Sequence, residues 1–519
     1  MAIATILWVD DEIESLQSQK LFLENKGYDV RTLTNGFDAI DYVKDNLVDV
    51  VLLDESMPGI TGLETLAKIK EVNQNIPIVL ITKNETENLM DDAIGSQISD
   101  YLIKPVNPNQ VWLSLKKILD NKRLVAEKTT SAYQQQFRNL FMALNSNPDY
   151  NDWMDIYKKL VYWELEMSKS DSPEMMEVFQ SQKQEANTEF FKFISRNYLS
   201  WVNAKSSDAP VMSHTLMKYK VFPHVEKGRV PTFFILIDNL RFDQWKAIQP
   251  IFAESFRILE EETFYSILPT ATQYCRNAIF AGLMPIDIEK QFPSQWKNDE
   301  EEGGKNLYED DFFKAQLKRL KMDNIRTSYT KILNNNAGQE LVNNIHNLLN
   351  NDLNIIVYNF VDMLSHARTE MEVLKELAGD EMSYRSVTKS WFEHSPLFQA
   401  LKRIADKKIN IVLATDHGSV RVKTPCKVIG DKLTTTNLRY KHGRNLNYEP
   451  KEVLAFRDPK EAGLPVPTVN SSFIFAKEDG FLCYPNNYNY YVNYYRNTFQ
   501  HGGVSLEEMI VPVIKMTSK

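Results

Sequence analysis

The sequence predicts an α/β protein in three parts: a parallel-sheet domain over residues 1–120, a helical bundle over 121–205, and a second α/β domain over 206–519. Three observations carry this. Short apolar runs alternate with amphipathic stretches at both ends of the chain. Between them, apolar residues fall only at helical spacing. Each α/β part places carboxylates directly after apolar, β-branched runs, where parallel sheets bind ligands.

In the first part Thr5–Val9, 48–53, 76–81 and Asp100–Ile103 read as strands, with an amphipathic helix at 13–26. In the middle part Tyr133, Phe137, Leu140 and Leu144 share a helical face. Trp153, Ile156, Tyr157 and Leu160 share a second, and Phe190, Phe193, Ile194 and Trp201 a third. Breaks at 145–148 and 168–173 make this about three helices that connect the two ends. In the last part, residues 299–305 form an acidic loop and 486–495, rich in Asn and Tyr, read as an edge strand with aromatic packing.

The composition excludes several classes. At 519 residues and 43% hydrophobic content the chain can bury large cores. No apolar run reaches membrane-spanning length, so membrane insertion is not expected. The start, MAIATILWVDDE, has no basic region ahead of its apolar run and reads as a strand rather than a signal peptide. Three scattered cysteines argue for a reducing, cytoplasmic setting and against a disulfide framework. A net charge of −9, with no basic helix-turn-helix pattern, argues against direct DNA binding.

Two groups of residues carry chemistry. Asp10 and Asp11 follow the first strand, Asp54 ends the third, Thr82 ends the fourth and Lys104 follows the fifth. Asp11, Asp54 and the Ser56 carbonyl can hold Mg2+, with Asp10 acting through water. Lys104 and Thr82 would then meet a phosphoryl group on Asp54. The second group is Asp238, Thr272, Asp362, His366, Asp416, His417 and His501, each at a strand end or in the turn that follows. Carboxylate, imidazole and hydroxyl together suit Zn2+ or Mn2+. Two such ions about 3.5–4 Å apart would hold the attacking and leaving oxygens of an in-line displacement.

The first group, in this order and spacing, resembles the receiver domain of bacterial response regulators. The resemblance implies a flavodoxin-like doubly wound sheet, phosphorylation of Asp54 by a sensor histidine kinase, and rearrangement of Thr82 and Tyr101. The second group, with IDNLRFDQW around Asp238, resembles the PglZ branch of the alkaline phosphatase superfamily. That implies two zinc ions. Asp238, Thr272, Asp416 and His417 would frame one, and Asp362, His366 and His501 the other. It also implies that Thr272, rather than Thr270, is the nucleophile. Relatives place an Asn beyond the nucleophile to hold a transition-state oxygen, and here Cys275, Arg276 and Asn277 occupy that neighbourhood. Arg276, Asn277 and His442 are candidate substrate-binding residues. The 441–444 stretch around His442 reads more simply as a solvated loop, and Arg241 as a surface ion pair or a phosphate clamp.

In full, receiver, connector and PglZ-type domain resemble the response regulators associated with type IX secretion. The expected function is a zinc-dependent phosphodiesterase acting on nucleotides or oligonucleotides, cyclic ones included. It would dimerise when phosphorylated and contact secretion-machinery or sigma-factor proteins. A second reading is a signalling adaptor in which the metal site is a fold staple or ligand sensor.

Overall fold

The structure is a computed structural model. It describes residues 4–74, 76–83, 98–169, 173–203, 208–225, 227–359, 361, 379–431 and 434–519, giving backbone only for 120–132, 134 and 173. The chain divides into two compact units, Met1–Tyr133 and Gln134–Lys519.

The first unit is built on β1 (Thr5–Val9), β2 (Asp29–Leu33), β3 (Val50–Asp54), β4 (Ile78–Thr82) and β5 (Asp100–Ile103). Their order is β2-β1-β3-β4-β5, every pair parallel. This is the flavodoxin-like order, which opens its crevice beside β1 and β3. β3 and β4 are buried along their whole length, as central strands covered on both faces must be. β2, an edge strand, shows weak apolar patterning, which is why the sequence does not announce it. The expected 13–26 helix opens instead as a 3-10 turn, Ile13–Leu16, before the helix Gln17–Asn25. Thr61 and Glu64 cap the helix Gly62–Val72 reciprocally and so fix where the chain leaves β3.

The helix Pro108–Asn145 closes the first unit, and its last residues open the second, where Tyr150–Met167 and Pro173–Asn203 follow. Pro148 lies between the first two of these helices, and Pro173 is the first residue of the third, a position that suits proline. Trp153 lies edge-on to Phe190 at 5.3 Å, and Phe190 stacks on Tyr265 of the following sheet at 6.4 Å. The helices therefore share a core with the α/β part.

That sheet is formed by β6 (Thr232–Ile237), β7 (Phe256–Tyr265), β8 (Thr327–Ile332), β9 (Leu353–Tyr358), β10 (Asn410–Ala414) and, at the end of the chain, Ile510–Ser518. Between β10 and that last strand lie β11 (Val420–Arg421), β12 (Thr424–Lys427), β13 (Tyr440–Gly443), β14 (Val453–Phe456), β15 (Ser472–Ala476), β16 (Gly480–Cys483) and β17 (Phe499–Gln500), which makes Ile510–Ser518 β18. The six-stranded order is β7-β18-β10-β6-β9-β8. β10, β6, β9 and β8 run parallel, and β18 is antiparallel to β10 and β7. The chain leaves β6 toward β9 on one side and returns at β10 on the other. The crevice between the carboxyl ends of β6 and β10 is therefore the switch point where ligands bind.

Three expectations need correction. Residues 486–495 form a helix, Tyr488–Tyr495, rather than an edge strand, because Tyr490 and Tyr494, and Tyr491 and Tyr495, stack one turn apart. The stretch around His442 is the buried strand β13, not a solvated loop. Arg241 is buried, not at the surface, and is held by Asp243 and Glu381 at 2.7 Å each. No helix among the described residues is long and apolar enough to cross a membrane.

Burial pushes the His214 imidazole down to about 4, and its Nδ1 is enclosed without a hydrogen-bond partner. The folded chain thus binds fewer protons at His214 than the unfolded chain between about pH 6.5 and 4. Stability is lost as pH falls through that window and is unaffected by His214 above it. Urea unfolding of His214→Gln should show a shallower acid decline, smaller by on the order of 2 kcal/mol at pH 4. An unchanged slope would contradict the assignment.

Candidate active site

In the first unit the strand ends converge. Asp10 follows β1, and Asp54 closes β3. Lys104 Nζ lies 2.9 Å from Asp10 and 2.9 Å from Asp54. Asp10, Asp11 and Asp54 offer oxygens that all lie within 4.8 Å of one another. Asp54 Oδ1 is buried with no hydrogen-bond partner. Burial, aided by Asp10 and Asp11, pushes the Asp54 carboxyl up despite Lys104. Three carboxylates facing one fixed cation fit a hard divalent ion such as Mg2+. Ser56 is exposed just beyond β3, Thr82 is buried at the end of β4 and Tyr101 is partly exposed on β5.

In the second unit Asp238 directly follows β6, and Asp416 and His417 follow β10. Both carboxylates are essentially buried, at 1% and 0% exposure. The backbone of the turn after β6 holds side chains of the turn after β10: Asn239 N donates to Asp416 Oδ1 at 3.1 Å and Leu240 N to Thr415 Oγ1 at 2.9 Å. Ser266 Oγ donates to the Asp416 carbonyl. His417 Nδ1 faces the Gly418 carbonyl at 3.0 Å. A carbonyl can only accept, so Nδ1 carries the proton and Nε2 presents its lone pair to the crevice. His501 follows the same rule, with Nδ1 3.2 Å from the Thr270 carbonyl. The two rings stack at 4.2 Å.

Thr272 opens the helix Thr272–Ala281. Its Oγ1 lies 3.0 Å from His417 Nε2 and 3.3 Å from Asp238 Oδ1. The first amides of that helix have no intrahelical acceptor and, with the helix dipole, favour an anion at this end. Thr270 has a different task. Fully buried, its Oγ1 donates to the Gly503 carbonyl at 2.9 Å and accepts from Gly502 N at 3.0 Å.

Asp238, Asp416 and His417 offer ligand atoms within 4.8 Å of one another. Asp416 Oδ2 is buried with no hydrogen-bond partner. Burial pushes the Asp416 carboxyl up, but His417, Arg276 and the Asn239 amide together hold it below the usual range. Two carboxylates and an imidazole fit a first-row divalent cation. Asp362 and His366 lie outside the described residues.

Arg276 is buried among carboxylates. Nη1 lies 3.2 Å from Asp238 and 2.8 Å from Asn359 Oδ1, while Nε lies 2.8 Å from Glu309 and 3.7 Å from Asp416. Asn277 is committed to the 305–306 turn, donating to Lys305 O at 3.1 Å and accepting from Asn306 at 3.1 Å. Asn306 also donates to Thr272 O at 3.3 Å. Cys275 is buried, and burial pushes its thiol up. His442 joins a separate cluster in which its Nε2 and the hydroxyls of Tyr274 and Tyr440 each lie 3.0 Å from Asp299 Oδ2. The acidic 299–305 loop is thus tied down at its first residue. Glu309, Asn306 and Asn359 escape sequence reasoning because no local pattern marks them.

Three family models match the chain. The BREX system PglZ alkaline phosphatase-like domain covers residues 216–516, the PorX response regulator linker domain 123–202, and the response regulator receiver domain 6–116. The transcriptional regulatory protein ZraR of Klebsiella oxytoca is 34% identical over 132 residues, 25% of this chain and 30% of its own length. PgtA, the phosphoglycerate transport system transcriptional regulatory protein of Salmonella typhimurium, is 32% identical over 121 residues, 23% of this chain and 29% of its own. The chain therefore spans under a third of these relatives. A CheY-like receiver domain protein from Methanospirillum hungatei, 25% identical, aligns over 23% of this chain and 94% of its own with a TM-score of 0.22.

The two threonines should separate on stability. Thr270→Val leaves a buried amide and carbonyl unpaired and should cost about 1–3 kcal/mol. Half-buried Thr272→Val should stay within about 0.5 kcal/mol of the parent. Thermal melts of both variants check this, and equal losses would contradict the division of labour.

Proposed function

Because the chain belongs to the PglZ alkaline phosphatase-like family and carries a response regulator receiver domain ahead of that domain, we propose that it is a phosphorylation-regulated, zinc-dependent phosphodiesterase acting on nucleotides or oligonucleotides. The observation that carries this reading is the Thr272 hydroxyl, held 3.0 Å from His417 Nε2 and 3.3 Å from Asp238 Oδ1 at a helix start. A purely structural metal staple has no use for a hydroxyl there.

Thr272 Oγ1 gives up its proton and attacks phosphorus while the ester oxygen opposite departs and takes up a proton as the free alcohol, leaving a threonine phosphodiester that keeps the second ester group. Water then cleaves the new phosphorus–oxygen bond and restores the hydroxyl. Asp238, Asp416 and His417, with the Thr272 oxygen, would hold one Zn2+, and His501, with Asp362 and His366, a second. When bound, these ions would supply the positive charge that favours the Thr272 alkoxide and offsets charge on the phosphoryl oxygens. Amides at the start of the Thr272–Ala281 helix receive a non-bridging oxygen. Asp238 and His417 fix the direction of the Thr272 oxygen, and the Nδ1 bond of His417 fixes its ring. Arg276 is surrounded by acidic partners and acts as their counter-charge. Diesters are favoured over monoesters because they bring less charge to neutralise.

Input comes through Asp54, with Mg2+ held by Asp10, Asp11, Asp54 and the Ser56 carbonyl and with Lys104 and Thr82 receiving the phosphoryl oxygens. A sensor histidine kinase supplies the phosphoryl group. Phosphorylation favours a homodimer, and partners are secretion-machinery or sigma-factor proteins, a reading supported by the linker match over 123–202.

Metal-stripped protein restored with Zn2+ should cleave bis-p-nitrophenyl phosphate faster than p-nitrophenyl phosphate. Thr272→Ala should lower diester turnover by about 10³-fold or more while keeping its zinc. Acetyl phosphate should change the rate in the parent and not in Asp54→Asn. Unaltered turnover in Thr272→Ala would sink the nucleophile assignment.

A further inference from the structure

The segment between His501 and β18 touches the Asp416–His417–Gly418 turn on one side and the linker helices on the other. Gly418 N donates to Glu508 O at 3.1 Å. Gly418 also fits so closely that a Cβ there would meet the Glu507 carbonyl at 2.0 Å. The Gly418 carbonyl in turn receives His417 Nδ1. On the His501 side, the Glu508 carboxylate accepts from Gly503 N at 2.9 Å and Ser505 Oγ at 2.7 Å, and pairs with Arg439 at 2.6 Å. One short segment therefore supports the turns of both stacked imidazoles.

That segment is anchored by the linker. Leu506 N donates to Asn187 Oδ1 at 2.8 Å, and Asn187 Nδ2 donates to Glu507 Oε2 at 3.2 Å. Lys183, one turn earlier on the helix Pro173–Asn203, pairs with Glu507 at 2.9 Å and with Glu164 at 2.8 Å. Arg385 takes the other Glu164 oxygen at 2.9 Å. Asn187, Glu507 and Glu164 are all buried. Water cannot replace a lost partner cheaply there, so the segment follows the helix.

We propose that Lys183 and Asn187 are positioning residues for the hydrolase site, making the linker a working part of it rather than a spacer. A shift of the helix moves Leu506–Glu508, and the Glu507 carbonyl then presses on Gly418 and displaces the His417 ring. The proposal rests on the metal-dependent reading above.

The test uses the full chain, with Asn187→Ala, Lys183→Met, the conservative Lys183→Arg, and Lys192→Ala on the exposed face of the same helix as the control. Three quantities are read: zinc affinity by competition with a chromogenic chelator, kcat and KM on bis-p-nitrophenyl phosphate, and hydrogen–deuterium exchange of peptides spanning 416–418 and 503–508. Asn187→Ala and Lys183→Met should weaken zinc binding by about 10-fold or more. They should lower kcat by a similar factor with KM within about twofold, and speed exchange at both turns while β6 and β10 exchange as in the parent. Lys183→Arg should recover most of the loss, and Lys192→Ala should change none of the three. Parent-like zinc affinity and parent-like exchange at 416–418 in a folded Asn187→Ala protein would overturn the proposal. Should that variant not fold, Lys183→Gln, which keeps both Asn187 bonds, replaces it under the same outcomes. If the parent itself binds no zinc and cleaves no ester, the metal reading fails. Exchange then decides the positioning role alone: faster exchange at both turns supports it and unchanged exchange ends it.

Discussion

Two carboxylates buried side by side need positive charge, and the effector site is organised around that need. Asp238 and Asp416 are brought together by the carboxyl ends of neighbouring parallel strands. Glu309 adds a third buried carboxylate through its contact with Arg276. Among the described residues Arg276 and Lys331 bring positive charge to these acids, the latter 2.7 Å from Glu309. Buried carboxylates without counter-charge cost several kcal/mol each. A divalent ion among Asp238, Asp416 and His417 would add to that counter-charge. The same constraint explains why Arg276 is enclosed by acids and why the turns after β6 and β10 are bonded to each other rather than left to move.

The receiver meets a smaller version of the problem in the same way. Asp10, Asp11 and Asp54 gather at strand ends, where Lys104 bridges Asp10 and Asp54. Parallel sheets make such gatherings easy, since adjacent strands end at the same edge of the sheet. What differs is the reactive oxygen. On the proposed function it belongs in the receiver to Asp54, which would take up a phosphoryl group, and in the effector to Thr272, which would pass one to water. On that proposal both halves handle phosphoryl groups beside buried carboxylates, one as input and the other as output.

Much of this was legible in the sequence, because the signals are local. Apolar runs ending in Asp marked β1, β3, β6 and β10, and the proline-bearing breaks near 148 and 173 marked three helices. The choice of Thr272 over Thr270 came from a family motif, and the geometry adds a reason, since the Thr270 hydroxyl is spent on the Gly502–Gly503 backbone. What escaped is non-local. Glu309, Asn306 and Asn359 reach the site from separate elements, and nothing near them in sequence signals it. The 486–495 segment was misread because Asn and Tyr suit strands and surfaces, whereas stacking between tyrosines one turn apart favours a helix. His442 looked solvated beside Lys441 and Arg444, yet β13 packs it against Phe473 at 4.8 Å.

The central claim is that Thr272 carries the phosphoryl group during turnover. The most direct measurement is acid quenching of the zinc-loaded protein during diester cleavage, followed by mass spectrometry of the peptide that contains Thr272. The account predicts a phosphoryl group with its remaining ester on Thr272, appearing only with substrate, and no such adduct in Thr272→Ala under the same conditions. Rapid turnover with Thr272 unmodified at every quench time, and cleavage in one step with inversion at phosphorus, would contradict it.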